Sequence, residues 1–313
     1  MFPQNILSYC WMVFIFVFCT MFILYRIPTL PNFLWNLISY GKVRNVSGRG
    51  KPSKKQTWQS KLDKVLDVPK RWFIHFYIVS VICNSFLLFN LISVVFYNGE
   101  MPGWYLDVLR FLTNYPLQNP KASQLSIIIV IALLLIQGVR RLYECLVISS
   151  YSNSTIHISH YILGLLFYAF AGINVVAEGP ELTGKVQMDS VRQLAEQLEW
   201  FHVAGILMFL WATYHHHVAH KIFAGLRTGH KDRSHRIPHG DWFELVSSPH
   251  YLAEILIYAS LIIVLGFQHS MIYLVFFFTL ANQVFASISV HEWYRQKFDN
   301  YPKGRKAIIP WLL

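Results

Sequence analysis

Seven long apolar segments constrain the fold of this chain more than any other feature of its sequence. They cover roughly residues 5–25, 73–97, 125–139, 158–177, 201–219, 251–266 and 270–290. Several approach the ~20 consecutive apolar residues that a helix needs to cross a bilayer. Because 54% of the residues are hydrophobic and only 14% are charged, the pattern predicts an all-α integral membrane protein with seven transmembrane helices and excludes a soluble domain.

The charged residues between these segments predict the orientation of the chain. The connection from 26 to 71 carries 11 Lys and Arg residues against two Asp, and the loop after the fifth segment and the C-terminal tail are also net basic. The stretch 178–199 is net acidic. The positive-inside rule therefore places the N-terminus in the lumen and the C-terminus in the cytosol. The net charge of +11 then reflects topology, and no nucleic-acid partner is expected.

This topology divides the chain into two regions. Residues 1–72 are expected to form an N-terminal anchor helix followed by a basic cytosolic loop. Residues 73–313 are expected to form a six-helix domain, and the polar residues at its helix ends predict a cavity that faces the cytosol.

Four clusters of polar residues lie at or near the predicted cytosolic helix ends. Ionisable groups near membrane depth are costly, so they mark candidate functional sites. The clusters are "VPKRWFIHFY" (68–77), "QGVRRLYEC" (137–145), "HHHVAHKIFAGLR" (215–227) with "HRIPHGDWFELVSSPHYLAEIL" (235–256), and "HEWYRQKFDNYPKGRK" (291–306). Only His75 lies about a turn deeper, inside an apolar run. Their shared location predicts that they converge on one cavity.

Each cluster also has a purely structural interpretation. Arg140 and Arg141 are suited to anchor a helix end, and the spacing of Glu144 from Arg141 fits a helical ion pair. The C-terminal "YPKGRK" is suited to lipid headgroups. A histidine such as His75 within an apolar helix is more often a hydrogen-bonded core residue than a catalyst. Co-location of the clusters favours a functional site over these alternatives.

The "HHHVAH" run raises the question of a metal site. His216 and His220 are four residues apart, and His217 and His220 are three apart, so a helix places them on one face. Two such imidazoles can bind a metal. Membrane di-iron oxygenases need several histidine boxes, however, and "HISH" (157–160) is the only other close pair. We therefore predict no metal site, and interpret these histidines as interfacial groups near a phosphate.

The segment "RIPHGDWFELVSSPHYLAE" predicts a turn that leads into a helix. Ile-Pro favours an extended entry and His-Gly-Asp a bend. Ser247 or Ser248 is then a candidate N-cap, with Pro249 at the first helical position. The free N–H groups of such a helix N-terminus attract an anion such as a phosphate. His250 and Glu254 follow one turn apart on the same helix face.

Nearby cations favour a nucleotide ligand. Arg227, Arg233 and Arg236 are suited to pair with phosphates, and the Glu254 carboxylate is suited to accept from an amide or a ribose hydroxyl. The chain has no GxGxxG after a strand and no GxxxxGK[ST], and its apolar segments leave no room for βαβ units. Any nucleotide is therefore expected to be held by helix ends and loops of a membrane cavity.

Longer motifs show a resemblance to a known family. The segments "HRIPHGDWFELVSSPHYLAEI" (235–255) and "FDNYPKGRKAIIPWLL" (298–313) resemble the steroid 5α-reductase family. Its polyprenol reductase subgroup is similar to "DVPKRWFIHFYIVSV" (67–81), "RRLYECL" (140–146) and "SNSTIH" (152–157). The similarity extends from about residue 40 to the end. It implies a seven-helix protein of the endoplasmic reticulum membrane that uses NADPH to reduce a carbon–carbon double bond next to a carbonyl.

The resemblance also implies which residues hold the cofactor. The family's NADPH-binding positions fall on Arg141, Arg227, Arg236, His250, Glu254, His291 and Tyr294. His250 stands where steroid reductases have Asn, a departure shared with the polyprenol subgroup.

The substrate side departs from the steroid reductases. Their Glu and Tyr that hold a steroid's enone oxygen are replaced here by Phe76 and Gly138. This argues against a steroid as the main substrate, and Gly138 is expected to open space for a thin isoprenoid chain. The remaining catalytic candidates are His75, Tyr77, His291 and Tyr294.

The expected function is therefore NADPH-dependent reduction of the α-terminal double bond of a long-chain polyprenyl lipid, on the route to dolichol for protein glycosylation. One alternative is steroid 3-oxo-5α reduction. Another is an isoprenylcysteine-type membrane methyltransferase, which binds S-adenosylmethionine. A third is a non-catalytic lipid-binding or scaffold protein, which oxidises no nicotinamide.

The chemistry of the reduction favours an aldehyde as the direct substrate. Adding hydride to a double bond places negative charge on the neighbouring carbon. A conjugated carbonyl takes up this charge as an enolate, which a hydrogen-bond donor stabilises, whereas an allylic alcohol has no such acceptor. The expected substrate is thus polyprenal, and a separate dehydrogenase is expected to interconvert alcohol and aldehyde.

Overall fold

The computed structural model describes residues 4–27, 66–149, 155–182, 191–226 and 235–313. Within these ranges the long helices are α1 (Ile6–Tyr25), α2 (Phe73–Tyr97), α4 (Gln124–Tyr143), α5 (Ile158–Val176), α7 (Trp200–Gly225), α8 (Pro249–Val264) and α9 (Ser270–Lys297). The short helices are α3 (Gly103–Leu112) and α6 (Val191–Ala195). The described chain also contains two strands, β1 (Asp67–Pro69) and β2 (Thr155–His157), 3-10 turns at Lys70–Trp72 and Asp241–Glu244, and a π turn at Glu144–Ile148.

The long helices coincide with the predicted apolar segments. Five of them are long and apolar enough to cross a membrane, and α8 is a shorter apolar helix. Helix α7 has 26 residues, but four histidines lie in its C-terminal half. The prediction of a mostly helical chain with membrane-spanning character is confirmed. The number of seven crossings and the orientation of the termini stay predictions.

Helical structure in the third segment continues beyond its predicted end. Helix α4 continues to Tyr143 and then into the π turn, whereas the apolar run ends at residue 139. The reason is local charge compensation, because the Glu144 carboxylate pairs with both Arg140 and Arg141. The two cations are therefore kept within the helix. Single π turns of this kind occur frequently at functional sites.

Polar contacts at both ends of the bundle show that the long helices alternate in direction. At one end, Glu178 after α5 accepts from the Met271 N–H of α9 at 3.2 Å and from Lys121 before α4 at 3.2 Å. At the other end, the Tyr25 hydroxyl of α1 donates to Glu292 of α9 at 2.8 Å. We refer to these as the Glu178 end and the His291 end. The described residues directly before α2 and directly before α8 also lie at the His291 end.

The first helix packs into the same core as the other helices. The Trp11 indole N–H donates to the Asn174 side-chain oxygen of α5 at 2.9 Å, and its ring makes edge contacts with Phe167 and Phe278. Trp11 is fully buried. Such close packing and interhelical hydrogen bonds are the forces that hold helices together in a bilayer.

A small antiparallel sheet departs from the all-α prediction. Strands β1 and β2 pair with Asp67 opposite His157, and the Thr155 hydroxyl donates to Asp67 at 2.9 Å. Each strand has only three residues, which is too short to show an alternating pattern in the sequence. The sheet ties the start of α2 to the start of α5.

At Gly138 the structure contradicts the expected open space beside α4. A Cβ atom at this position would lie 2.8 Å from the Ser80 hydroxyl and 3.5 Å from Val81. Glycine here permits a close approach of α2 and α4, and the space is already filled by α2. The open space expected at Gly138 is therefore absent.

Candidate active site

The turn before α8 has the shape that its sequence predicts. Gly240 adopts a φ of +93° and Asp241 a φ of +48°, and a 3-10 turn follows. The Gly240 N–H donates to the Glu244 carboxylate at 2.6 Å. This hydrogen bond lowers the pKa of the Glu244 carboxyl, and the nearby charges of Arg305 and His239 act in the same direction. The turn is thus stabilised while Glu244 is ionised.

The start of α8 presents polar groups to the interior. Ser248 occupies the N-cap position and Pro249 begins the helix, as predicted. Ser248 makes no capping hydrogen bond, and within the described ranges its buried hydroxyl has no partner. A buried hydroxyl normally has a hydrogen-bond partner. Together with the free N–H groups of the helix start, it is suited to an anionic or hydrogen-bonding ligand.

A buried charge cluster lies where α4 meets α7. Glu144 is fully buried and pairs with Arg140 at 2.5 Å and with Arg141. The His217 Nδ1 atom lies 2.8 Å from the same carboxylate. The predicted helical ion pair between Arg141 and Glu144 is confirmed. The cluster therefore holds two guanidinium groups around one carboxylate, and the Glu254 carboxylate of α8 faces the same two groups.

Arg141 also contacts the predicted catalytic residue Tyr77. Its Nη2 and Nε atoms donate to the Tyr77 hydroxyl oxygen at 2.9 and 3.2 Å. The phenol oxygen therefore accepts two hydrogen bonds, and its own hydrogen is available to donate. No acceptor for that hydrogen lies among the described residues. The arginine polarises the phenol, so Tyr77 is a strong, preoriented hydrogen-bond donor that faces the bundle interior.

The predicted pair of stacked histidines on α7 is present. The His216 Nε2 and His220 Nε2 atoms lie 3.1 Å apart, and Arg140 Nη2 lies 2.8 Å from His216 Nδ1. Arginine only donates, so His216 Nδ1 accepts, and a neutral His216 carries its hydrogen on Nε2. The hydrogen is then donated to His220. No group of three metal-binding side chains occurs within the described ranges.

Glu254 and His250 on α8 face this cluster. The Glu254 carboxylate lies 3.4 Å from the Gln137 amide and 3.4 Å from His216 Nδ1. The His250 ring lies against Tyr251 and makes an edge contact with His220. The structure therefore places Glu254 and His250 beside the cluster that contains Arg141, and their assignment to a cofactor stays a prediction.

A second cluster surrounds His291 near the end of α9. The His291 Nδ1 atom lies 2.6 Å from the Ser247 hydroxyl, which lies 2.6 Å from the Tyr301 hydroxyl. Tyr294 stacks face to face on Tyr301, with ring centroids 5.3 Å apart. Ser247 directly precedes the N-cap of α8, so His291 lies beside the start of that helix.

A cavity of about 430 Å³ opens beside His291. Its lining residues are His291, Arg295, Phe298, Asp299, Tyr301, Pro302 and Lys303. This volume is within the usual range of ligand pockets. Arg295 and Lys303 in the lining are cationic and Asp299 is anionic, and the buried Arg305 lies over the Tyr301 ring at 5.3 Å. The cavity therefore has a small excess of positive charge and an aromatic wall.

The remaining predicted residues lie elsewhere. His75 faces α5, where its Nδ1 atom lies 2.7 Å from the Tyr161 hydroxyl, so it is on a different face of α2 from Tyr77. Arg236 is exposed before the turn. Arg227 is outside the described residues.

Three residues of the site have no role in the sequence-based predictions. The sequence indicates Ser247 only as a capping residue, and Tyr301 and Arg305 belong to the "YPKGRK" stretch, which suits a headgroup-binding tail. Arg305 is buried instead, and its Nη1 atom donates to the Pro238 carbonyl at 3.0 Å. Tyr301 at the start of this basic run indicates a packed segment, because a solvated tail does not need an aromatic side chain.

The helical bundle and its buried polar site define a membrane-bound oxidoreductase when they are combined with the similarity to known proteins. The family described as 3-oxo-5-alpha-steroid 4-dehydrogenase matches residues 180–313. Polyprenal reductase of Ailuropoda melanoleuca is 36% identical over 98% of this chain and 96% of its own length. Polyprenal reductase of Homo sapiens is 38% identical over 88% of this chain and 85% of its own length. Polyprenal reductase of Danio rerio is 36% identical over 99% of this chain and 98% of its own length. The chain therefore belongs to the steroid 5α-reductase family.

Proposed function

We propose that this protein uses NADPH to reduce the α-terminal double bond of polyprenal, a step on the route to dolichol for protein glycosylation. The observation that carries the proposal is the Tyr77 hydroxyl, which accepts twice from Arg141 and keeps its own hydrogen for a ligand. Such a donor suits the oxygen of a carbonyl substrate. The relatives at 36–38% identity are named for the aldehyde polyprenal, which supports the same substrate class.

The cavity residues fit a phosphate-bearing dinucleotide. Arg295 and Lys303 line the His291 cavity, and the unpartnered Ser248 hydroxyl lies at the adjacent helix start. These groups are suited to the phosphates, while His291, Tyr294 and Glu254 are suited to the rings and ribose hydroxyls. The sequence-based assignments of Arg141, Arg227, Arg236 and His250 as further cofactor contacts remain part of the proposal. NADPH supplies the hydride when it is bound.

The protein's side chains then stabilise the reduction. As the C–H bond forms at the β-carbon, the electron pair of the double bond moves toward the carbonyl oxygen and an enolate develops. Tyr77 donates its hydrogen bond to that oxygen, and Arg141 stabilises the charge through the phenol. The α-carbon of the enolate then takes a proton from solvent water, which leaves the saturated aldehyde.

The proposal includes the location of the protein. We place it as a multi-pass protein of the endoplasmic reticulum membrane, with seven crossings, a luminal N-terminus and a cytosolic C-terminus. The basic loops at the His291 end are then cytosolic, where NADPH is available. Because the aldehyde is the substrate, a partner dehydrogenase that interconverts polyprenol and polyprenal is part of the proposal.

The cofactor preference tests the dinucleotide assignment. We expect kcat/KM for NADPH to exceed that for NADH by more than about tenfold, roughly 1.4 kcal/mol, because arginine pairs strongly with the additional phosphate. The measurement follows nicotinamide absorbance with purified protein and polyprenal. The matched control is Arg192→Gln, which alters an exposed arginine in an ion pair with Glu196 and should leave the ratio unchanged. Equal turnover of both nicotinamides would contradict the assignment.

A further inference from the structure

The Ser247 hydroxyl is the centre of a buried hydrogen-bond chain. Its Oγ atom lies 2.6 Å from His291 Nδ1, 2.6 Å from the Tyr301 hydroxyl and 3.1 Å from the Lys306 carbonyl. Ser247 is fully buried. A serine hydroxyl has a single hydrogen, so at most one of these three contacts can be its donated bond.

The partners of Ser247 decide where the hydrogens lie. The Lys306 carbonyl already accepts from the Ser247 N–H at 2.8 Å, and its contact with Oγ is the longest of the three. If Tyr301 donates to Ser247, Ser247 is free to donate to His291 Nδ1. Every hydrogen then has an acceptor. In the reverse arrangement His291 Nδ1–H donates to Ser247, and the Ser247 hydrogen has two possible acceptors. One is Tyr301, whose own hydrogen then has no acceptor among the described residues, and the other is the Lys306 carbonyl across the longest of the three contacts.

Tyr301 is held in place from both sides. The Arg305 guanidinium lies 5.3 Å from its ring centroid, within the range of a cation–π interaction. Tyr294 stacks on the ring at an interplanar angle of 8°. Arg305 is in turn anchored to the Pro238 carbonyl. The phenol oxygen therefore has little freedom to leave Ser247.

We propose that Tyr301 and Ser247 are positioning residues that fix His291 as the neutral tautomer with its hydrogen on Nε2. His291 lines the cavity, and its Nε2 atom makes no hydrogen bond to a described residue. This hydrogen-bond chain therefore fixes both the tautomer and the ring orientation of His291. The Nε2–H group is then a fixed donor toward the ligand. This inference rests on the proposed function for its effect on catalysis, but the tautomer itself does not.

The tautomer is tested directly by NMR of protein labelled with ¹⁵N-histidine, with His291→Ala used to assign the signals. We expect the His291 Nδ1 signal of an unprotonated nitrogen and the Nε2 signal of a protonated one. Ser247→Ala and Tyr301→Phe should each produce a mixture of the two tautomers. A hydrogen on Nδ1 in the unmodified protein would overturn the proposal, whether or not the protein reduces polyprenal.

Steady-state kinetics test what this hydrogen-bond chain contributes to catalysis. Ser247→Ala and Tyr301→Phe are each expected to lower kcat about tenfold when activity is measured well below the thermal midpoint of each variant. The matched control is Ser260→Ala. Ser260 is equally buried but donates only to the Ile257 carbonyl of its own helix, at 2.6 Å, so its removal should leave kcat unchanged.

A double-mutant cycle separates positioning from a general structural role. If Tyr301 acts through His291, Tyr301→Phe should have no further effect on the residual activity of the His291→Ala variant. An additive loss in the double variant would overturn the proposal, as would a fall in thermal midpoint that accounts for the loss of kcat.

Discussion

Tyr77→Phe is expected to lower kcat for polyprenal by about 10²–10³-fold, the usual effect of removing one donor to a developing oxyanion. The substitution keeps the ring that packs against Tyr168 and removes only the oxygen that accepts from Arg141. KM should change little, because a donor to the enolate acts mainly in the transition state. Steady-state kinetics with purified protein, NADPH and polyprenal measure both constants.

Tyr161→Phe is the matched control for this experiment. It removes the hydroxyl that bonds His75 Nδ1, on the face of α2 that points away from Arg141. We expect a change in kcat of less than about threefold, within the context dependence of a single hydrogen bond. A loss at Tyr161 as large as that at Tyr77 would shift the donor role to His75 and its partner, and a Tyr77→Phe variant with full activity would refute the assignment.

Glu144→Gln is expected to lower the free energy of unfolding by about 3–5 kcal/mol, since it leaves buried cations without their counter-charge. Glu144 is fully buried, and the Arg140 and Arg141 side chains are 14% and 11% exposed. The glutamine preserves the shape but pairs with neither guanidinium as an anion. Unfolding by SDS in mixed detergent micelles measures the change.

An exposed pair of the same type provides the comparison. Glu196→Gln removes the partner of Arg192 at 3.0 Å, where both side chains are well exposed at 61% and 86%. Surface pairs contribute about 0–1 kcal/mol, so the unfolding curve should hardly move. Equal effects of the two substitutions would show that the Glu144 cluster is not a stability determinant.

The positions of the helices follow closely from the sequence. Apolar runs of the right length leave the chain few alternatives to membrane helices, and α2 begins and ends at the predicted residues, Phe73 and Tyr97. The extension of α4 past residue 139 follows from the charged residues and not from the apolar run, because Arg140 and Arg141 both have the spacing from Glu144 of helical ion pairs.

The sequence predicts which residues belong to the site better than it predicts which of these residues contact each other. Spacing on a single helix places His216 near His220 and Glu254 near His250, because those distances are set by helix geometry. Contacts between distant segments have no such periodicity. Tyr77 and Arg141 are 64 residues apart, and Ser247 and Tyr301 are 54 apart, so no local pattern indicates that they meet.

Gly138 shows how a missing side chain can mislead. From the sequence, a glycine where relatives have a large residue predicts space for a ligand. In the structure the neighbouring helix occupies that space, with Ser80 at 2.8 Å from the position of a Cβ atom. The backbone of a helix pair adjusts to a small residue, and the ligand space lies elsewhere.

The most direct test of the proposed reaction supplies purified protein and NADPH with either polyprenal or polyprenol, and with no dehydrogenase present. Loss of the α-terminal double bond is measured by mass spectrometry of the extracted lipid. We expect the aldehyde to be saturated and the alcohol to remain unchanged, because only the aldehyde has an oxygen that takes up the enolate charge beside Tyr77. Saturation of polyprenol at a rate equal to that of polyprenal would contradict this account.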